Sequence, residues 1–249
     1  MPNVSISSLR VSIPKYVLGV TVFIVVMLLI LLLQAIYVDL RHAPERQARA
    51  FVRQQIESIK AGSQAHIFVS NEISNAAIDE FVTARNEFKN VKPFTLEIEY
   101  SQNTDDFLKQ IAGLPNVREL FLGQNDVTDP GMQYVATLPD LESLSLHEVF
   151  IGDAGLKNLA TSSRLKRLVF APREGTKVTI DALLALPRLR SLVVHEPYED
   201  DWLKRNITHF EKAHSLDELT LVGEFSFEEI QSLREKLPNC KIEAQRGGK

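Results

Sequence analysis

Leucine returns in this chain at a fixed phase. Val117-x-x-Leu120-x-Leu122 is followed by Leu141-x-x-Leu144-x-Leu146, Leu165-x-x-Leu168-x-Phe170 and Leu189-x-x-Leu192-x-Val194, each 24 residues after the one before. A fifth copy, Leu216-x-x-Leu219-x-Leu221, comes after 27. Spacing of two within each copy fits a short strand whose alternate side chains share a face. One strand and its return cannot bury such a row alone. Units stacked at ~4.8 Å per strand would join their rows into one core. An ordinary α/β protein would not hold this step over four strands, so the period predicts a solenoid.

The rest of each unit keeps the same time. Leu114-Pro115, Leu138-Pro139 and Leu186-Pro187 precede the first, second and fourth copies, and Leu237-Pro238 precedes a last short strand, Cys240–Glu243. Val127-Thr128-Asp129-Pro130-Gly131-Met132 aligns with Ile151-Gly152-Asp153-Ala154-Gly155-Leu156. Asp129 and Asp153 are expected to be helix N-caps. Ser226 and Glu229 have capping-box spacing ahead of Ile230, Leu233 and Leu237.

The Leu-x-x-Leu-x-Leu cores and Asp-x-Gly-Leu helix starts resemble the leucine-rich repeat family, in its ribonuclease-inhibitor-like bacterial form, over about residues 114–242. The resemblance implies a right-handed α/β solenoid with a concave parallel sheet, typically used to bind other macromolecules. The chain departs from the pattern in places. The family's Asn after the Leu row is present only as Asn125, its equivalents being Val149, Arg173, Pro197 and Glu224, so no Asn ladder is expected. The third unit carries extra loop at Ala171–Lys177, and the fourth an acidic bulge at Glu196–Asp201. Phe94-Thr95-Leu96-Glu97-Ile98 and a helix at Asp105–Ile111 are expected to form the first, atypical unit.

Upstream lies a different object. Val17–Val38 is 22 residues without a charge, bracketed by Tyr16 and Tyr37. A helix of that length reaches roughly 33 Å, enough for a hydrocarbon core of ~30 Å. It exceeds the ~7–15-residue apolar stretch of a secretory signal, and no good cleavage site follows it. The expected organisation is an N-terminal tail at 1–16, a single transmembrane helix at 17–38, a helical juxtamembrane stalk at 39–92 and a repeat domain at 93–249. Pro44 suits the first turn of a stalk helix, which Gly62-Ser63 would end. A second stalk helix would carry Ile73, Ala76, Ala77, Phe81, Val82 and Phe88. A basic helix on anionic headgroups and a dimerising helix are the other readings of this stretch. The bare Lys/Arg count favours a cytoplasmic main domain. A short tail ahead of a first span usually stays inside, however, and long domains cross regardless of charge. The reading is therefore a cytoplasmic amino terminus and an extracytoplasmic repeat domain.

In a repeat sheet the solvent-facing positions flank the buried Leu pair. Glu119, Phe121, Ser145, His147, Arg167, Val169, Val193, His195 and Thr220 are expected to form the partner-binding concave face. Their middle column, Phe121–Ser145–Val169–Val193–Thr220, is apolar for an exposed surface. β-Propensity at half-exposed positions would give the same residues. His147 and His195 fall two strands apart, roughly 9–10 Å, too far to share a zinc ion, which holds its nitrogens at ~2.1 Å. No metal or other cofactor is expected.

The net charge of −4 gives nucleic acid no basic stripe. The single cysteine excludes an internal disulfide framework, and Cys240 reads as a buried small residue. No nucleophile elbow, phosphate-cradling Gly loop or His-Glu-x-x-His is present. Arg164, Lys166, Arg167, Arg188 and Arg190 read as a solvated rim. The expected function is a membrane-tethered protein–protein interaction module, with lipid contacting residues 17–38 and an unidentified protein on the concave face. An enzyme with an unrecognised hydrolytic site, and an oligomerising membrane protein whose repeats are a spacer, stay open as alternatives.

Overall fold

The computed structural model describes residues 15–70, 74–102, 104–173, 178–197 and 201–247, with backbone alone at 15–26, 35–42 and 74–77. Two compact units result, Met1–Pro44 and Glu45–Lys249.

The first unit holds the early part of helix α1 (Lys15–Lys60). Met27 to Leu33 are all exposed, by 42–60%. Among the described residues no helix is both long and apolar enough to cross a membrane. The side chains of the expected span lie outside the described residues except at 27–34. Pro44, expected in a first turn, lies inside α1. There its ring removes one helical N–H and crowds the carbonyl four residues earlier.

The second unit is built on one parallel sheet of eight strands in chain order, β1 to β8. These are β1 (His66–Val69), β2 (Phe94–Glu99), β3 (Val117–Gly123), β4 (Ser143–Val149), β5 (Arg167–Pro172), β6 (Ser191–His195), β7 (Glu218–Val222) and β8 (Lys241–Gln245). Short helices return the chain between strands: α2 (Ser74–Ala84), α3 (Thr104–Ile111), α4 (Met132–Val135), α5 (Asp153–Leu159), α6 (Ile180–Leu184), α7 (Trp202–Arg205) and α8 (Phe227–Lys236). This is an α/β solenoid. Leu120, Leu144, Leu168, Leu192 and Leu219 stand side by side in register, as do Leu122, Leu146, Phe170, Val194 and Leu221. All ten are buried and belong to a core shared with the helices. The leucine period therefore acts as read: equal steps put equivalent residues in neighbouring coils, and one apolar spine runs through them.

A second ladder binds the coils on the helix side. Asp129 and Asp153 do not cap their own helices. Asp129 Oδ1 accepts from the Gly152 N–H at 2.7 Å, in the next coil. Asp153 accepts from the Thr179 N–H and hydroxyl at 2.8 and 3.1 Å. Asp105 receives the same pair from Thr128. A carboxylate one coil behind thus serves these three helix starts, and the glycines follow from it. A Cβ on Gly155 would sit 2.5 Å from Asp129 Oδ1, and one on Gly131 would collide with Asp105. The capping box is as expected, Ser226 and Glu229 bonding each other's backbone N–H at 3.2 and 2.7 Å. Asn125 is buried and bonds the Ile98 carbonyl and the Val127 N–H.

The sheet begins upstream of the expected boundary at 93. Residues 39–92, read as a helical stalk, contain β1, which pairs in parallel with β2 and precedes the strand expected to be first. Ala48, Val52, Ile56 and Ile59 of α1 are buried in the same core. Phe81 stacks on Phe88, and Phe107 meets it edge-on, both at 5.6 Å. The amphipathic stripe read as a stalk face is thus the end cover of the solenoid. Gln55 completes it: its side-chain amide donates to the Phe68 carbonyl at 3.0 Å and accepts the Phe68 N–H at 2.8 Å. It stands in for a neighbouring peptide at the outer edge of β1.

Candidate interaction face

Alternation along each strand sends one set of side chains into the core and the other to the opposite face of the sheet. The registers align Glu97, Phe121, Ser145, Val169, Val193, Thr220 and Glu243 across β2 to β8. Phe121, Ser145, Val169, Val193 and Thr220 are each half-buried. Glu119, Ser143, Arg167, Ser191 and Glu218 form a parallel row on one side, with Glu119 and Arg167 exposed. Glu119 Oε2 accepts from the Thr95 hydroxyl at 3.1 Å. The nine expected residues therefore lie on one face, in adjacent rows.

The third row is Glu99, Gly123, His147, then Ala171, with His195 ending β6 beyond it. It alternates large and small, and the large side chains lean over the small ones. The ring centroids of His147 and His195 are 6.3 Å apart and edge-on, closer than two strand spacings, because Ala171 between them offers only a methyl group. His147 also lies against Phe121, at 6.4 Å with ring planes 22° apart. Gly123 makes room at the other end: a Cβ there would lie 2.7 Å from the Phe121 ring and 3.0 Å from Glu99 Oε1. Burial lowers the His195 pKa below the ordinary imidazole value, and His147 adds to the effect.

Sequence reading missed the acidic end of this face. Burial raises the Glu99 pKa above the ordinary carboxylate value, and neighbouring Glu97 pushes it further, against a smaller opposing effect of His147. Glu97 Oε2 lies 2.6 Å from His66 Nε2. The signal was present in the alternation Leu96-Glu97-Ile98-Glu99, since outward positions on a strand that joins the sheet must join its face.

The basic residues at the strand starts form a rim, as expected. Arg164 pairs with Asp140 at 3.2 Å, Lys166 with Glu142 at 3.8 Å, and Arg190 bonds the Ser215 carbonyl at 3.1 Å. Cys240 precedes β8 and is half-buried rather than buried; burial and the nearby Asp217 and Glu218 raise its pKa, which keeps the thiol protonated. Among the described residues no three His, Cys, Asp or Glu side chains converge as a metal site. Depressions among the described residues include two near the β8 end of the sheet and its helices. One is lined by Lys204, Gly223, Phe225 and Arg246 among others, the other by Ile207, Glu211, Glu228 and Leu233 among others. Neither lining includes His or Cys.

No family model and no curated protein matches the chain. Among solved structures it is similar to one titled "Leiomodin-1 Actin-Binding Site 2 (ABS2)", at 13% identity and a TM-score of 0.32, over 75% of this chain and 87% of that one.

Proposed function

We propose that this chain is a leucine-rich repeat protein, tethered to a membrane by residues 17–38, whose outward sheet face captures a protein partner. One observation carries the reading: the row Phe121–Ser145–Val169–Val193–Thr220 is aligned across β3 to β7 and only half-buried among the described residues. Parallel sheets are ordinarily covered on both faces. Covering the remaining apolar area would gain about 25 cal/mol per Å². We read the face as a binding surface and not a catalytic one, because its two histidines face each other across Ala171 rather than a nucleophile.

The tether rests on the charge-free run and on the exposure of Met27–Leu33, which nothing in a watery setting would favour. In this reading the amino terminus is cytoplasmic and the repeat domain extracytoplasmic. Protease protection of intact membranes tests this: a repeat domain digested only after the cytoplasmic side is opened would reverse the orientation.

The face is tested by affinity capture from detergent extract with the full chain and with Val169→Asp and Phe121→Asp. Both positions are half-buried and outward, so circular dichroism should still show the native fold, with a moderate drop in Tm, while capture of the partner is lost. Capture that survives both substitutions removes the face from consideration.

A further inference from the structure

The chemistry of the face narrows what it can hold. Its apolar stretch, Phe121 to Val193, ends on the β2 side at two carboxylates, Glu97 and Glu99, two residues apart on one strand and pointing to the same face. Glu97 has a partner in His66, a residue charged only when protonated. Glu99 is half-buried and, among the described residues, its carboxylate makes no hydrogen bond or ion pair. It leans with the Phe121 ring over Gly123, where a side chain of any other residue would fill the space. Behind Phe121 lies the His147 ring, nearly parallel to it. Partial burial and the neighbouring Glu97 both disfavour the charge on Glu99 and raise its pKa. A cation placed there would meet a charge-assisted acceptor on one side and the negative face of an aromatic ring on the other. The opposite end of the row is also acidic, at Glu243, with Glu218 in the adjacent row, and Lys241 there is already paired with Glu243 at 2.7 Å.

We infer that the partner is a basic, apolar protein segment, which sets an Arg or Lys side chain between Glu97, Glu99 and Phe121 and lays aliphatic residues along Val169 and Val193. This rests on the proposed binding role of the face and specifies its ligand. Charge complementarity favours it over an acidic partner, and the same carboxylates disfavour nucleic acid and anionic headgroups.

The test is selection from a random dodecapeptide phage library on the full chain reconstituted in neutral-lipid nanodiscs, with three baits: wild type, Glu97→Gln/Glu99→Gln and Val169→Asp. Gln keeps the shape of Glu, so the double variant should fold; circular dichroism of each bait checks this. Wild type should enrich peptides that combine Arg or Lys with Leu, Ile or Val. The Gln variant should lose the basic enrichment and bind a selected basic peptide at least tenfold more weakly, by fluorescence anisotropy at low salt. Val169→Asp should enrich nothing. Sequences enriched on wild type without Arg or Lys, yet lost on Val169→Asp, would overturn the cation site and leave the face standing. Selection equal on all three baits would overturn both.

Discussion

At Ser162 the repeat makes an exception. Leu114, Leu138 and Leu186 hold the same place in their units, each buried below 5%, and Ser162 stands in that column with its hydroxyl buried and without a partner among the described residues. An unpaired buried hydroxyl costs about 1–3 kcal/mol. Ser162→Ala is therefore expected to raise stability in urea denaturation, by about 1 kcal/mol once lost packing is set against the penalty; a fall in stability would mean that the hydroxyl has a donor or acceptor in solution. His195 gives a residue-scale prediction in pH. Burial, then His147, holds its folded pKa below the ordinary value of 6.5. The folded state thus binds fewer protons than the unfolded one below that value, and acidification costs stability through this group. Glu99 has the opposite sign, because a raised carboxylate pKa favours the folded state on acidification, in a window just above 4.5. His195→Gln is expected to lose less stability than wild type between pH 7.5 and 5.5. Denaturation curves that shift in parallel over that range would remove the linkage.

The helix end of α1 shows what an element does beyond its sequence signature. Gln55 closes the outer edge of β1 with both halves of its amide, and edges left open invite pairing with other chains. Gln55→Leu should strand two backbone groups at a cost of about 1–3 kcal/mol and selectively raise amide exchange in β1, with β4 to β6 protected as before. Gln55→Glu keeps the acceptor and loses the donor, so a cost no smaller than that of Leu would argue against the edge-closing role. The same region marks where sequence reading stopped. β3 to β7 were legible because a fixed step leaves leucines in phase, and that step follows from the stacking itself. β1 was not: His66-Ile67-Phe68-Val69 is four residues long, and His66 stands opposite Thr95, a step longer than 24. Without the strand, the apolar stripe Ala48–Val52–Ile56–Ile59 has no visible partner and reads as a stalk face. The outward face of the sheet was legible in its middle for the same reason as the core. Its acidic end was hidden because β2 was read as an end cap, and the His147–His195 approach depends on the size of Ala171, which register alone does not convey.

For the molecule as a whole, the question is which segment folds with the repeats. Stacked coils are stable only when each end is covered. Here the cover on the early side is α1 from Glu45, β1 and α2, joined to the first coils by the Phe81, Phe88, Phe94 and Phe107 rings and by the Arg53–Glu80 pair at 2.9 Å, which sits on a nearly buried carboxylate. A fragment of residues 45–249 should therefore express without detergent and unfold in one cooperative step. A fragment of residues 93–249, cut at the expected start of the repeat domain, would expose Phe94, Leu96, Ile98 and Phe107, all buried to within 2%, along a bare strand edge. It should aggregate or lose cooperativity, seen as broadened urea transitions and multiple species in size-exclusion chromatography. If the shorter fragment is instead monomeric and as stable as the longer, then residues 45–92 are a separable stalk after all, and the end-cover reading of α1 and β1 fails.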